Sequence, residues 1–202
     1  MAEHEITEEF VKALPKTDLH VHLDGSIRPS TLIDLSREYG VELPSYTEAG
    51  LRETVFKDRY ANLSEYLTGF AYTVAVLQSE IALERSAYEL AIDNQNEGVR
   101  YLEVRFAPQL HVHAHMHTVM VLKAVNRGLK RAENEYNRRA AVKEGLEPPF
   151  KYGIIVCAMR MFRRNFSDYF KSLINAHRHS PPKQIYGMAS MELARAAIQA
   201  RD

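Results

Sequence analysis

Asp18-Leu19-His20-Val21-His22-Leu23-Asp24-Gly25 sets two histidines one residue apart inside an apolar run. Side chains of a strand alternate between its faces, so residues two apart point the same way. A strand over residues 17–23 therefore offers two neutral imidazole nitrogens to one divalent cation with little backbone adjustment. Imidazole suits zinc and the late transition metals, and a catalytic zinc usually takes three protein ligands and a water. His20 and His22 are thus part of a site, and the remainder must come from elsewhere.

Working outward, Pro29 and Ser30 open a helix with apolar positions Leu32, Ile33, Leu35 and Tyr39, stopped by Gly40, which accepts the left-handed conformation. Residues 41–61 read as a polar loop with one short helical turn. A second helix starts near Ser64 and runs through Leu67, Phe70, Ala71, Val74 and Leu77. Ser79 caps a third, which carries Leu83, Ala87, Leu90 and Ala91 and ends at Gly98. Val99–Phe106 reads as a strand with Tyr101, Glu103 and Arg105 on one face and Leu102, Val104 and Phe106 on the other. A long helix follows over 118–140, a break at Glu147–Pro149, and an apolar strand from Tyr152 to Met159 expected to be buried on both faces. Ser167 caps a further helix, and residues 189–201 read as the last one.

Strands alternating with helices predict an α/β fold with a parallel sheet. A (β/α)8 TIM barrel takes about 250 residues, whereas this sequence has 202 and about three strands. The reading is the first three β/α units of a barrel. Residues 1–13 form an N-terminal extension and 14–202 a barrel portion incomplete at its C-terminus.

Composition sets outer bounds. The 26 basic and 26 acidic residues cancel, which argues against a nucleic-acid footprint, since that shows as clustered basic excess. Cys157 is the single cysteine, so no intrachain disulfide forms, and it reads as a small buried residue in the apolar run 154–159. The acidic N-terminus lacks the features of a signal peptide, and no apolar stretch approaches the roughly 20 residues of a membrane span. The expectation is a soluble, cytoplasmic protein without membrane partners.

Leu14-Pro15-Lys16-Thr17-Asp18-Leu19-His20-Val21-His22-Leu23-Asp24-Gly25-Ser26 resembles the opening of the zinc-dependent adenosine deaminases of the amidohydrolase superfamily. Glu97–Pro108 is similar to that family's second-strand signature, and Ile155-Val156-Cys157-Ala158-Met159-Arg160 to its third strand. The resemblance implies one Zn2+ per complete active site, at the C-terminal ends of the strands, with His20 and His22 among its ligands. It implies that Asp24 holds the ribose 5′-hydroxyl, with His22 close to the substrate. Relatives acting on adenine or aminodeoxyfutalosine tend to carry glutamate there, so Asp24 favours a nucleoside. Tyr66, Leu67 and Phe70 become an apolar wall over the purine, and Met159 a further substrate contact. Glu103 and Arg105, as an interior ion pair, and Arg160 support the site.

The implied reaction is hydrolytic deamination of adenosine, and of 2′-deoxyadenosine, to inosine and ammonia in purine salvage. The family's glutamate and remaining histidines match nothing here and are expected beyond Asp202. On that reading no catalytic proton-transfer residue lies within the chain, and the 202 residues alone are inactive. The missing C-terminal half or a second copy is the expected protein partner. Rival readings are an aminohydrolase acting on adenine or another adenine derivative, and a non-catalytic remnant that only binds. The alternating His111, His113, His115 and His117 follow Pro108 and precede a helix. They read as a solvated loop, not a metal site.

Overall fold

The structure, a computed structural model, describes residues 6–201; residues 1–5 of the expected extension and Asp202 lie outside the described residues. In chain order the elements are α1 (Glu8–Ala13), β1 (Lys16–His22), α2 (Pro29–Tyr39), α3 (Glu48–Thr54), α4 (Leu63–Val76), α5 (Glu80–Asn96), β2 (Val99–Phe106), α6 (Thr118–Asn137), α7 (Ala140–Lys143), β3 (Lys151–Val156), α8 (Asp168–Ala176) and α9 (Pro182–Gln199). The strands form one parallel sheet in the order β1-β2-β3. Parallel neighbours need crossover connections, and α5 and α6 lie within the two that the chain makes here.

The helix-facing side of the sheet builds the core. Leu102, Val104 and Phe106 of β2 are buried with Leu83, Ala87, Leu90 and Ala91 of α5 and Val121, Leu122, Val125 and Leu129 of α6. Each fully buried Leu, Val or Phe contributes about 1.5–3 kcal/mol relative to exposure. The opposite side carries Tyr101, Glu103 and Arg105, in register with Gly153 and Ile155 of β3 and, at Arg105, with His22 of β1. Polar groups on this side and apolar groups on the other follow the period-2 pattern of the sequence.

Local signals set the ends. Ser79 Oγ accepts from Ala82 N at 3.1 Å and starts α5. Asn62 caps α4, its Oδ1 accepting from Glu65 N at 3.0 Å. Gly98 has φ +88° and turns the chain from α5 into β2, where Lys16 Nζ donates to the carbonyls of Lys12, Leu14 and Glu97 at 2.8–3.2 Å.

Several expectations change. The third strand spans Lys151–Val156 and is half-buried, because it borders only β2 among the described residues. The chain leaves the ladder after Cys157, whose N–H donates to Phe106 O at 2.9 Å. Cys157 is accordingly half-buried as well. The extension contains the short helix α1, and the 41–61 segment holds the seven-residue α3 rather than one turn. The last helix begins at Pro182, seven residues before the expected start, since proline is pre-organised for a first helical position. Finally, β1 is not a plain alternating strand: the register slips between Asp18 and Val21. That bulge turns Leu19 out, leaving it 55 % exposed, before the alternation resumes at Val21 and His22.

Candidate active site

His20, His22 and Asp24 collect at the C-terminal end of β1. The imidazole centroids of His20 and His22 lie 5.4 Å apart, tilted by 34°. Both residues are exposed, on the side of the sheet away from the helices. Leu23 N donates to Arg105 O at 3.0 Å, which pins the chain as it leaves the strand. The turn that follows buries Asp24, only 6 % exposed. Its Oδ1 lies 3.7 Å from His22 Nδ1 and has no hydrogen-bond partner. Burial pushes the Asp24 carboxyl above its usual range, opposed by His22 and by the backbone N–H groups of Asp24 and Gly25. A buried carboxylate with an unclaimed oxygen is an acceptor waiting for a donor.

A cleft opens beside Asp24, lined by Asp24, Gly25, Val55, Phe56, Tyr60, Tyr66, Gly69, Phe70 and Thr73. Its aromatic edge is continuous. Tyr60 and Tyr66 meet edge-to-face at 5.1 Å, Tyr66 and Phe70 at 5.4 Å, and Phe70 and His22 at 6.4 Å. Gly25 sits close against this edge: a Cβ there would stand 3.3 Å from Phe70 Cζ, a tight contact, and 3.4 Å from His22 Cβ. Tyr60, Val55 and Thr73 escape a sequence reading. Tyr60 sits in a polar loop and is fixed by hydrogen bonds from Lys57 N and to Val55 O, both 2.9 Å.

The remaining candidates separate. Tyr66 and Phe70 line the cleft, but Leu67 points away, 52 % exposed. Met159 packs against a second apolar cluster, around Phe162 and Phe170, whose rings stack at 4.1 Å. Arg160 follows it, exposed. The Glu103–Arg105 ion pair is not formed. Glu103 accepts from Tyr101 Oη at 2.9 Å. Arg105 Nη1 lies against the His20 ring, 2.7 Å from Nε2, and its Nε is buried without a partner. Both side chains share one face, yet each finds a closer neighbour across or along the sheet.

The histidine row is also not uniformly solvated. His115 and His117 are exposed, whereas His111 is fully buried and His113 half-buried. Desolvation lowers the His111 pKa from 6.5 to about 4, offset in part by its hydrogen bond to Leu77 O. No cluster of three or more His, Cys, Asp or Glu side chains fit for a metal occurs among the described residues. A wider hollow on α6, lined by Asn126, Arg127, Lys130, Arg131 and Glu135 among others, lies away from these groups. Its cations are largely taken by Glu80, Glu84, Glu133 and Glu135. No helix among the described residues is long and apolar enough to cross a membrane.

Comparison with known proteins gives a consistent result. The family described as adenosine deaminase matches residues 15–201. The adenosine deaminase of Vibrio atlanticus is 40 % identical over 164 residues, which cover 81 % of this chain and 45 % of that protein. The chain thus spans less than half the length of this curated relative. Among solved structures, the N6-methyl-AMP deaminase of Arabidopsis thaliana superposes with a TM-score of 0.61 at 23 % identity, over 96 % of this chain and 48 % of its own. An amidohydrolase from Burkholderia ambifaria, solved with bound Zn, gives 0.62 at 20 % identity, over 84 % and 44 %. At such identities the likeness establishes the fold: three β/α units of a TIM barrel.

Proposed function

The chain belongs to the adenosine deaminase family, and from that premise we propose that the protein carrying it uses zinc to hydrolyse adenosine to inosine, and 2′-deoxyadenosine to 2′-deoxyinosine, with release of ammonia. The observation that carries the reading is the convergence at the end of β1. Two exposed imidazoles stand 5.4 Å apart next to a buried carboxylate with an unclaimed oxygen, beside an aromatic cleft. The donor set fits the metal: neutral imidazole is a preferred zinc ligand, and His20 and His22 would hold it. A zinc ion bound there would supply a water acidified toward a pKa of about 7.

The residues of this chain do the rest of what they can reach. Asp24 accepts the ribose 5′-hydroxyl through its free Oδ1, orienting the nucleoside along β1. Tyr66 and Phe70 take the purine face and keep water from it, an arrangement suited to flat aromatic ligands. Arg105 Nη1 stands 2.7 Å from His20 Nε2 and 2.9 Å from Nδ1, so this cation would have to give up one ring nitrogen for His20 to hold zinc. Neither Leu67 nor Met159 has a contact that supports a part in substrate binding.

The experiment is metal analysis and ammonia release on the full-length protein with adenosine. The expected result is one zinc per site, with His20→Ala and His22→Ala each losing the zinc and the activity together. Full zinc content in the His20→Ala/His22→Ala double variant would sink the assignment. A second reading rests on Arg160, Arg163 and Arg164, which are exposed after β3 without a carboxylate partner among the described residues. Guanidinium groups suit phosphate, so a phosphorylated adenine derivative is the rival substrate. Comparing adenosine with AMP decides between them.

A further inference from the structure

The alternating histidines 111–117 have no part in the metal reading, and the structure gives two of them another task. Helices leave their last carbonyls without intrahelical donors. His111 Nδ1 donates to the carbonyl of Leu77, the residue that caps α4, at 2.9 Å, and His113 Nε2 donates to the carbonyl of Gln78, the next residue in the link to α5, at 3.0 Å. His115 N donates to His113 Nδ1 at 3.3 Å, which fixes the proton of His113 on Nε2. Gln78 Nε2 returns a bond to Leu110 O at 3.3 Å. Three side-chain hydrogen bonds thus lace the end of α4 to the loop after β2.

That loop is itself held. Gln109 Nε2 donates to Ala189 O in α9 at 2.9 Å, and Ser167 Oγ, the cap of α8, donates to Gln109 O at 2.7 Å. His113 and Met116 exchange a pair of backbone hydrogen bonds, both 3.1 Å. The helix end is anchored on the core, with Val76 and Leu77 fully buried, while its opening turns are open, Leu63 being 70 % exposed. The cleft residues Tyr66, Phe70 and Thr73 sit between these extremes.

We propose that His111 and His113 are positioning residues: they tether the C-terminal end of α4 and thereby set the place of the aromatic wall that this helix presents to the cleft. From Leu77 back to Tyr66 is 11 residues, about 16 Å of helix at 1.5 Å per residue. A tilt of about 5° at the tether moves Tyr66 by about 1.4 Å, enough to matter for a bound ring. The Leu77 carbonyl explains why His111 is an imidazole and not an apolar filler, although its Nε2 is left buried without a partner. It fills space beside Phe106, with ring centroids 6.0 Å apart, and still supplies the donor that Leu77 O needs.

The inference rests on reading the cleft as the seat of the nucleoside, and the test separates the two. In the full-length, zinc-loaded protein with adenosine as the probe, His111→Leu/His113→Leu removes both donors and keeps bulk. His111→Asn/His113→Gln places amide N–H groups where Nδ1 and Nε2 stood. The expected result for the leucine pair is a KM raised about three- to tenfold, the scale of one or two lost hydrogen bonds, with kcat within about twofold. Amide exchange across α4 speeds up, zinc content is unchanged, and the amide pair restores KM. His113→Leu alone, at a half-buried site, gives the same direction should the double variant fold poorly. Unchanged KM and unchanged α4 exchange in the leucine variants overturn the tether. So does a loss that the amide pair does not rescue. If the wild type does not act on adenosine, the functional reading fails first, and unchanged α4 exchange would then still refute the tether.

Discussion

Replacing Gly128 by alanine tests the closest helix contact in the fold. Gly128 lies on the buried face of α6, against α5. A Cβ built there falls 2.2 Å from Glu84 O, 2.9 Å from Tyr88 N and 3.0 Å from Ala87 Cβ. The first two are backbone atoms of the facing helix, so no rotamer change relieves the overlap. Ordinary contact begins at 3.4 Å, and 3.4 − 2.2 asks for an opening of 1.2 Å. A gap of about 1 Å forfeits up to half of the dispersion energy of the atoms it separates, and the interface concerned holds Ala87, Leu90, Ala91, Val125 and Leu129. Overpacking costs about 1–3 kcal/mol, and the rigid blocking atoms put this site at the upper end. Alanine returns about 1 kcal/mol of helix propensity. The expected net loss is therefore about 2 kcal/mol. Gly187 of α9 is the control, since nothing lies within 4 Å of its Cβ position. There the same substitution should stabilise by up to about 1 kcal/mol. Urea unfolding of the two variants beside the wild type reads both. A Gly128→Ala protein as stable as the wild type, or the same sign at both positions, would refute the packing argument.

Other perturbations read other parts of the molecule. His111 has a folded pKa of about 4, below its ordinary 6.5. The unfolded chain therefore takes up a proton that the folded one refuses as pH falls from 6.5 toward 4. The stability is present above the upper value and declines through that window, by about 3 kcal/mol at 1.36 kcal/mol per unit. The stability difference between wild type and His111→Asn should shrink by that amount between pH 7 and pH 4; a difference constant with pH would contradict it. Lys16→Met removes the donor shared by three carbonyls at the foot of β1 and should cost about 1 kcal/mol in denaturant unfolding, as the site is open to water; no loss would mean that water replaces the ammonium fully. Asp24→Ala should raise KM for adenosine about ten- to a hundredfold, the worth of a hydrogen bond to a charged group. It should leave KM for 5′-deoxyadenosine nearly unchanged. Equal losses on both nucleosides would take Asp24 away from the 5′-hydroxyl.

Local sequence was enough for the periodic parts of the fold. The two-residue alternation of Tyr101–Phe106 fixed which face of β2 meets the helices, and Ser79, Gly40 and Ser167 marked helix ends through local hydrogen bonds and backbone freedom. That His20, His22 and Asp24 stand together at the end of β1 was legible, because spacing along one strand is a local property. Contacts between distant segments were not. The tertiary structure alone decided that Arg105 meets His20 instead of Glu103, that Tyr60 joins the cleft, and that Met159 turns to the cluster around Phe170. It also decided that His111 is buried while His115 is not. Periodicity states which way a side chain faces, and only the packing of other segments against it sets which partner lies there and how much water remains.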